Sequence, residues 1–318
     1  MSKKILLSGV KPTGAPHLGN YFGAMKQFVD LSKDEDVESF VFIADYHALN
    51  FIQNKEEMKN NIINILLDYL AIGLEKDNVT IFKQSDVSAH TELSWIFNTL
   101  VTMPYLMRAH AYKDAEAKNK EIVVGTFNYP VLMASDILLY SPDVVPVGKD
   151  QQQHVEIARD IALKFNNAYG ETFKLPQHKI LEDVAVVPGT DGQKMSKSYK
   201  NTIPLFAEYE DIKKCVMSIV TDSGSDIPEN VYAIHKLVRD EEELKTIYQE
   251  NKGKYKILKD ILVEDLEKFI APMRERRNEL ALDMNRVLDI LKKGGEKANK
   301  IANTKMLEVR EKIGVEIY

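Results

Sequence analysis

The sequence predicts an α/β fold: a doubly wound parallel sheet with a second, smaller, all-helical domain. Three observations carry this. Short apolar runs alternate with amphipathic stretches through the first two-thirds of the chain, the order expected of β-α-β units. One of those runs, Ser39–Ala44, is almost continuously apolar, as a strand buried on both faces must be. From about Ile203 strand-like runs give way to charged helical patterns.

The elements follow in order. Lys4–Val10 is a strand running into turns at Gly9 and Gly14, and Leu18–Leu31 is a helix with apolar positions at helical spacing. Ser39–Ala44 is the second strand. Lys55–Gly73 is a long helix stopped by glycine, and Val79–Phe82 is the third strand. A helix over Pro130–Tyr140, a strand over Val144–Val147 and a helix from Asp150 to Tyr169 complete the first part. Helices over Ala207–Val220, Val231–Gln249, Tyr255–Leu291 and Gly294–Lys312 make up the rest, with Gly294-Gly295 as the clearest late break. The expected organisation is an α/β domain over 1–203, a helical domain over 204–292, and a terminal helix over 293–318 that packs back on the first domain. Sheets of this kind bind ligands beyond the carboxyl ends of their strands. The glycines at Gly9–Gly14 and Gly148 fall at such ends.

Composition narrows the function classes. A chain of 318 residues has room for one large and one smaller domain. At 44% hydrophobic and 28% charged it reads as ordinary globular protein, and no apolar run approaches the roughly 20 residues a bilayer requires. The short apolar run after Met1-Ser2-Lys3-Lys4 flows into a glycine turn and is a strand rather than a signal-peptide core. A single cysteine, Cys215, excludes an internal disulfide and a CxxC metal site. Cys215 and Trp95 are assigned to packing, and a cytoplasmic location without membrane contact is expected. The net charge of −6 argues against indiscriminate polyanion binding. It leaves room for a local basic track, Arg274, Arg276, Arg277, Arg286, Lys292, Lys293, Lys297 and Lys300, which a solvated helix face would equally explain.

Two segments carry chemistry. Lys194-Met195-Ser196-Lys197-Ser198 follows a glycine-rich turn, Pro188-Gly189-Thr190-Asp191-Gly192-Gln193. Two lysines three apart on a loop suit a polyphosphate, because flexible ammonium groups can neutralise charge that develops in transfer at phosphorus. Pro16-His17-Leu18-Gly19-Asn20 lies directly after the first strand and opens the first helix. Gly19 leaves room for a flat ring against backbone. His17 and Asn20 can hydrogen-bond phosphate oxygens at a helix N-terminus, although a capping turn explains this segment alone equally well.

Together, in this order and at this separation, the two segments resemble the HIGH-type and KMSKS motifs of class I aminoacyl-tRNA synthetases, in the short tryptophan/tyrosine subgroup. The resemblance covers essentially the whole chain. It implies a Rossmann-like catalytic domain, an ATP site between the motifs, and a helical domain that reads the tRNA anticodon. Within the subgroup, Tyr129 to Tyr140 and Val145 to His154 are similar to the tryptophanyl enzymes. Tyrosyl enzymes tend to carry glutamine where Met133 stands.

The chemistry agrees with that difference. Indole offers one N–H donor and no acceptor, so its recognition calls for a buried acceptor such as the Asp136 carboxylate, and Met133 offers a polarizable apolar contact. By the same resemblance, Tyr129 and Gln151 hold the amino-acid end. Gly148 and Asp150 lie by the ATP ribose, Lys149 belongs to the same ATP site, and Lys11, Pro12 and Thr13 line the phosphate path. Val187 offers backbone groups to adenine. Gly19, Met195, Ser196 and Ser198 complete the ATP site, with Lys194, Lys197, His17 and Asn20 as the catalytic set. Lys11 departs from the glutamine common in many bacterial tryptophanyl enzymes and should strengthen phosphate contacts. His47 reads both as a border of the indole pocket and as a core histidine. Lys113 reads as a phosphate contact or a solvated lysine. The implied reaction is formation of tryptophanyl-adenylate from L-tryptophan and ATP, followed by transfer to tRNA. Mg²⁺ would be carried by ATP rather than by a protein cage, and the enzyme would be a homodimer. A tyrosyl enzyme, a non-catalytic paralogue that senses tryptophan or tRNA, and a nucleotidyltransferase of related fold are the competing readings.

Overall fold

The computed structural model of the chain describes residues 3–117, 121–147, 152–176, 178–180, 187–221 and 226–318. Strands β1 (Lys4–Val10), β2 (Val37–Ile43) and β3 (Val79–Lys83) pair in parallel in the order β1-β2-β3. Strands β4 (Val145–Val147) and β5 (His178–Ile180) form a second parallel pair. A parallel bridge between Leu6 and Val144 and a Leu7 N–H to Val144 carbonyl bond at 3.3 Å join the two pairs. The spatial order is therefore 3-2-1-4-5, with β1 central. The chain reverses its winding between β1 and β4, the point at which sheets of this kind bind ligands.

Strand alternation builds two cores, one on each face of the sheet. Val41, Ile43 and Ile81 point to one, with helix α1 (Leu18–Asn20, a wider π-type turn over Tyr21–Met25, then Lys26–Leu31) and helix α2 (Lys55–Tyr69). Leu7, Phe40, Phe42 and Phe82 point to the other, with α3 (Ala89–Asn98), α4 (Val124–Leu138) and α5 (Gln152–Tyr169). The later helices α6 (Tyr209–Met217), α7 (Glu229–His235) and α9 (Tyr255–Leu282) contribute Ile212, Val216, Val231, Ile234, Leu262 and Leu266 to the first core. Helix α8 (Glu241–Glu250) packs Leu244 and Tyr248 against Leu258 in a small core of its own.

Several expected boundaries move, each for a local reason. The fourth helix begins at Val124 rather than Pro130, so Pro130 lies in its interior instead of at the start that proline favours. The helix expected over Val231–Gln249 is two helices, because the Asp240 side chain accepts from Glu242 N–H and starts a new one. The break expected at Gly294-Gly295 lies instead at Asp283, whose side chain caps the last helix, α10 (Met284–Ile313). That helix starts in the first core through Val287 and Leu291 and ends in the second through Ala298, Ala302, Met306 and Val309. Gly294 sits where it crosses the edge strand: a Cβ there would run into the Ile81 carbonyl. Gly294 serves close approach to β3 and Gly295 to Asp86, and the helix continues through both. Trp95 is also reassigned, since its indole is 74% exposed on the outer face of α3. No helix among the described residues is long and apolar enough to cross a membrane.

Candidate active site

The segment after β1 turns sharply. Thr13 N–H reaches the Lys11 carbonyl at 2.8 Å, and Gly14 has φ +78°, a conformation that favours glycine. His17 then caps α1: its backbone N–H donates to Asn20 Oδ1 at 3.1 Å, and Asn20 N–H returns to the His17 carbonyl at 2.8 Å. Burial, assisted by the positive charge of Lys197, lowers the His17 pKa to about 4, so the ring is neutral at physiological pH. Its Nδ1 is buried without a hydrogen-bond partner among the described residues, an atom a polar ligand would satisfy.

The lysine segment is one arm of a small hairpin. Met195 N–H donates to the Val187 carbonyl at 2.9 Å, and Gly189 N–H donates to the Gln193 carbonyl at 2.6 Å. The two motifs meet at Gly19. Its N–H points at Met195 Sδ, 3.3 Å away, and any Cβ there would crowd the His17 ring and Met195. Lys197 Nζ donates to the Thr13 carbonyl at 2.7 Å, and Lys194 is exposed. Ser196 caps the turn that follows by accepting from Ser198 N–H. Pro12 is buried. Val187 is buried in the first core, with its carbonyl already taken by Met195.

One residue that sequence reasoning missed holds the hairpin together. Asn201, 2% exposed, donates through Nδ2 to Asp191 Oδ1 at 2.7 Å and to the Lys194 carbonyl at 3.2 Å. It accepts at Oδ1 from Ser196 N–H at 2.8 Å, and at its backbone carbonyl from Thr190 N–H at 2.9 Å. Gly189 leaves the space that the Asn201 side chain occupies. An asparagine three residues past the motif offers no signal of this in the sequence.

The other half of the site is built into the second core. Asp136, 1% exposed on α4, accepts from three side chains: His47 at Oδ2 (2.8 Å), and His90 and Gln84 at Oδ1 (2.6 and 2.8 Å). His90 continues to the Tyr140 hydroxyl at 3.0 Å. Burial alone would raise the Asp136 pKa, but the hydrogen bonds from His47 and His90 win and bring it down to about 2. The carboxylate is thus a fixed, ionised acceptor in an apolar wall. His90 and Gln84 were also missed, because their proximity to Asp136 arises only from the packing of α3 and the end of β3 against α4. Met133, one turn before Asp136, packs partly buried against the same core.

Tyr129 links the halves. Its hydroxyl bonds His154 Nε2 at 2.6 Å, its ring meets His47 edge-on at 6.1 Å, and Lys11 Nζ lies 5.5 Å from its centroid. Lys11 also lies 5.3 Å from the Phe51 ring, so the cation sits between two aromatic faces. Burial lowers its pKa. Gly148, Lys149, Asp150 and Gln151 lie outside the described residues. Lys113 is exposed on a helical segment over His110–Ala117. In the basic track, Arg274 pairs with Glu267, Arg276 and Arg286 with Glu75, Arg277 with Asp68, Lys293 with Asp289 and Lys297 with Glu38. Most of that charge is engaged within the chain.

Comparison with known proteins places this geometry. The family described as tRNA synthetases class I (W and Y) matches residues 2–288. A tryptophan–tRNA ligase of Fusobacterium nucleatum is 48% identical, with 97% of each chain covered. The crystal structure of tryptophanyl-tRNA synthetase from Campylobacter jejuni, complexed with ADP and tryptophan, superposes with a TM-score of 0.91 at 44% identity, covering 98% of this chain and 99% of that one. The Mycoplasma pneumoniae tryptophanyl-tRNA synthetase superposes with a TM-score of 0.84 at 28% identity, covering 99% and 98%.

Proposed function

The chain belongs to the class I tRNA synthetases for tryptophan and tyrosine, and from that premise we infer that it is the ligase that charges tRNA with L-tryptophan. The observation that carries this reading is the pairing of a prebuilt indole acceptor with a polyphosphate cradle: Asp136 held ionised in the core, and Gly19 touching Met195 with Lys197 folded onto the β1–α1 turn.

A carboxylate oxygen of tryptophan attacks the α-phosphorus of ATP. The bond to the bridging oxygen breaks, and pyrophosphate leaves. The 2′-hydroxyl of the tRNA's terminal adenosine then attacks the adenylate carbonyl, losing its proton as AMP departs. Neither step requires a covalent enzyme intermediate, so rate comes from placement and charge. Asp136 accepts the indole N–H, with Met133 and His47 along the ring, and Tyr129 and Gln151 hold the amino-acid end. Gly19, Val187 and Met195 flank the adenine. Gly148, Lys149 and Asp150 take the ribose side. Lys11, Pro12, Thr13, Ser196 and Ser198 line the phosphate path, where neutral His17 and Asn20 contribute hydrogen bonds. Lys194 and Lys197 neutralise the charge that develops on the departing pyrophosphate, and Mg²⁺ carried by the triphosphate would supply further counter-charge.

Residues 1–203 form the catalytic domain in this reading, and 204–292 the helical domain that reads the anticodon. Residues 293–318 belong with the catalytic domain. The working form is a cytoplasmic homodimer, a reading supported by the exposed apolar side chains of Phe51, Trp95, Met103 and Val124. The test is ATP–pyrophosphate exchange with tryptophan and tyrosine offered separately. Exchange with tryptophan alone is expected. Exchange with tyrosine would overturn the substrate, and none with either would leave a sensor paralogue.

A further inference from the structure

A carboxylate has two oxygens and about four positions that accept hydrogen bonds, and at Asp136 three are already taken. His90 Nδ1 and Gln84 Nε2 both reach Oδ1, at 2.6 and 2.8 Å, and His47 Nε2 reaches Oδ2 at 2.8 Å. One acceptor position on Oδ2 is left for a ligand, and whatever fills it must bring a donor.

The two groups on Oδ1 are each held from behind. Gln84 Oε1 accepts from the Tyr46 N–H at 3.2 Å, which turns the amide NH₂ toward Asp136. His90 Nε2 lies 3.0 Å from the hydroxyl of Tyr140, four residues past Asp136. An ionised carboxylate has no proton to give, so His90 Nδ1 must carry one. In the neutral ring Nε2 is then an acceptor, which the Tyr140 O–H satisfies. His90 is 0% and Tyr140 2% exposed. The rings of Phe40, Phe42 and Phe82 surround the pair at centroid separations of 5.5 to 6.3 Å. Aromatic carbon cannot replace a lost O–H there, so the tautomer of His90 depends on Tyr140.

We propose that Tyr140 and His90 are positioning residues for substrate selection: the Tyr140 hydroxyl fixes the His90 tautomer that donates to Asp136 Oδ1, which holds Oδ2 as a single-donor reader of the indole N–H. This rests on the reading that Asp136 accepts that N–H. Without the Tyr140 O–H the imidazole can move its proton to Nε2. Asp136 then loses a donor and the carboxylate can turn. Neither residue faces the lysine hairpin, so the effect falls on the amino acid and spares ATP.

The experiment is pyrophosphate exchange on the intact protein, with tryptophan and with its analogue in which sulfur replaces the indole N–H. Wild type should prefer tryptophan by roughly 10⁴-fold in kcat/KM, as a site built around a hydrogen bond does. Tyr140→Phe deletes one oxygen and should cut that preference about tenfold, with a larger cut in His90→Leu, the scale of a hydrogen bond to a charged group. His90→Asn should recover part of it, because its amide N–H can stand where Nδ1 stood. The KM for ATP should stay within about twofold in all three, since only amino-acid recognition is altered. In an Asp136→Asn background Tyr140→Phe should change the preference little, as expected of groups acting as one unit. The acid limb of kcat/KM for tryptophan should move to higher pH in His90→Leu, because a donor that helps to hold the Asp136 pKa at about 2 is gone. Equal losses for the two amino acids in Tyr140→Phe and His90→Leu leave the preference unchanged and would overturn the relay, with the ligase reading intact. Wild type that uses both amino acids equally would remove Asp136 as the reader of the N–H, and the relay with it. Wild type that exchanges with neither would overturn the activity itself.

Discussion

The two halves of the site are made in opposite ways. Around Asp136 every contact is inside the second core: a carboxylate, two imidazoles, an amide and a phenol, all buried and bonded to one another. Around Lys194 and Lys197 the backbone is a surface hairpin organised by the buried side chain of Asn201, and the lysines themselves are exposed. A buried acceptor gains selectivity because a ligand lacking the matching donor leaves it unpaired, which is costly in a dry site. Exposed ammonium groups on flexible stems offer little selectivity, but they can follow charge as it moves. The contrast suits a reaction in which one partner must be recognised and the other must be broken.

Exchanging the properties of the halves tests this division. The largest effect should come from Asp136→Ala, which removes the acceptor. A fall of roughly 10⁴-fold in kcat/KM for tryptophan is expected from pyrophosphate exchange, on the scale seen when a hydrogen-bonding site loses its match. A KM for ATP that moved equally would break the contrast. Lys194→Ala or Lys197→Ala should slow adenylate formation by roughly 10²-fold or more, as loss of a charge-stabilising donor does, and leave the equilibrium affinity for tryptophan unchanged by titration. Equal losses in binding and rate would remove the lysines from the role assigned to them.

The smallest effect concerns pH. His17 has its pKa lowered to about 4 from an ordinary 6.5, so the native protein binds this proton less readily than the unfolded chain. Its contribution to stability is full above about pH 6.5 and declines as pH falls toward 4. His17→Gln should flatten that part of a denaturation-versus-pH curve while leaving the curve above pH 7 with the same shape. A His17 resonance titrating near 6.5 in NMR would mean that the ring is not enclosed as described.

What was legible in the sequence follows the same division. β1, β2 and β3 show as apolar runs because strands buried on both faces have no other composition open to them. The lysine pentapeptide and the His17–Asn20 segment show because their chemistry is local. Asp136 is a charge between Ala134, Ile137 and Leu138 in the sequence, which points to burial, but nothing there points to its partners. Gln84 and His90 come from a different part of the chain, and only tertiary packing brings them within hydrogen-bond reach. Asn201 is invisible for the same reason. The Gly294-Gly295 pair misled because a glycine needed for close approach and a glycine ending a helix look alike until the neighbour is known.

That pair of glycines has a consequence for how the protein is made. β3 is an edge strand, and the backbone of α10 lies directly against it. A bare strand edge is a template for pairing with other chains, and covering it with a helix is one way proteins avoid that fate. Here the cover is synthesised long after the strand it protects. A nascent chain that has completed β1 to β5 but not yet Met284–Ile313 presents an open sheet edge at β3 to its surroundings. Chain elongation is therefore the interval of greatest aggregation hazard, and stalling before α10 would be more harmful than losing a loop of the same length.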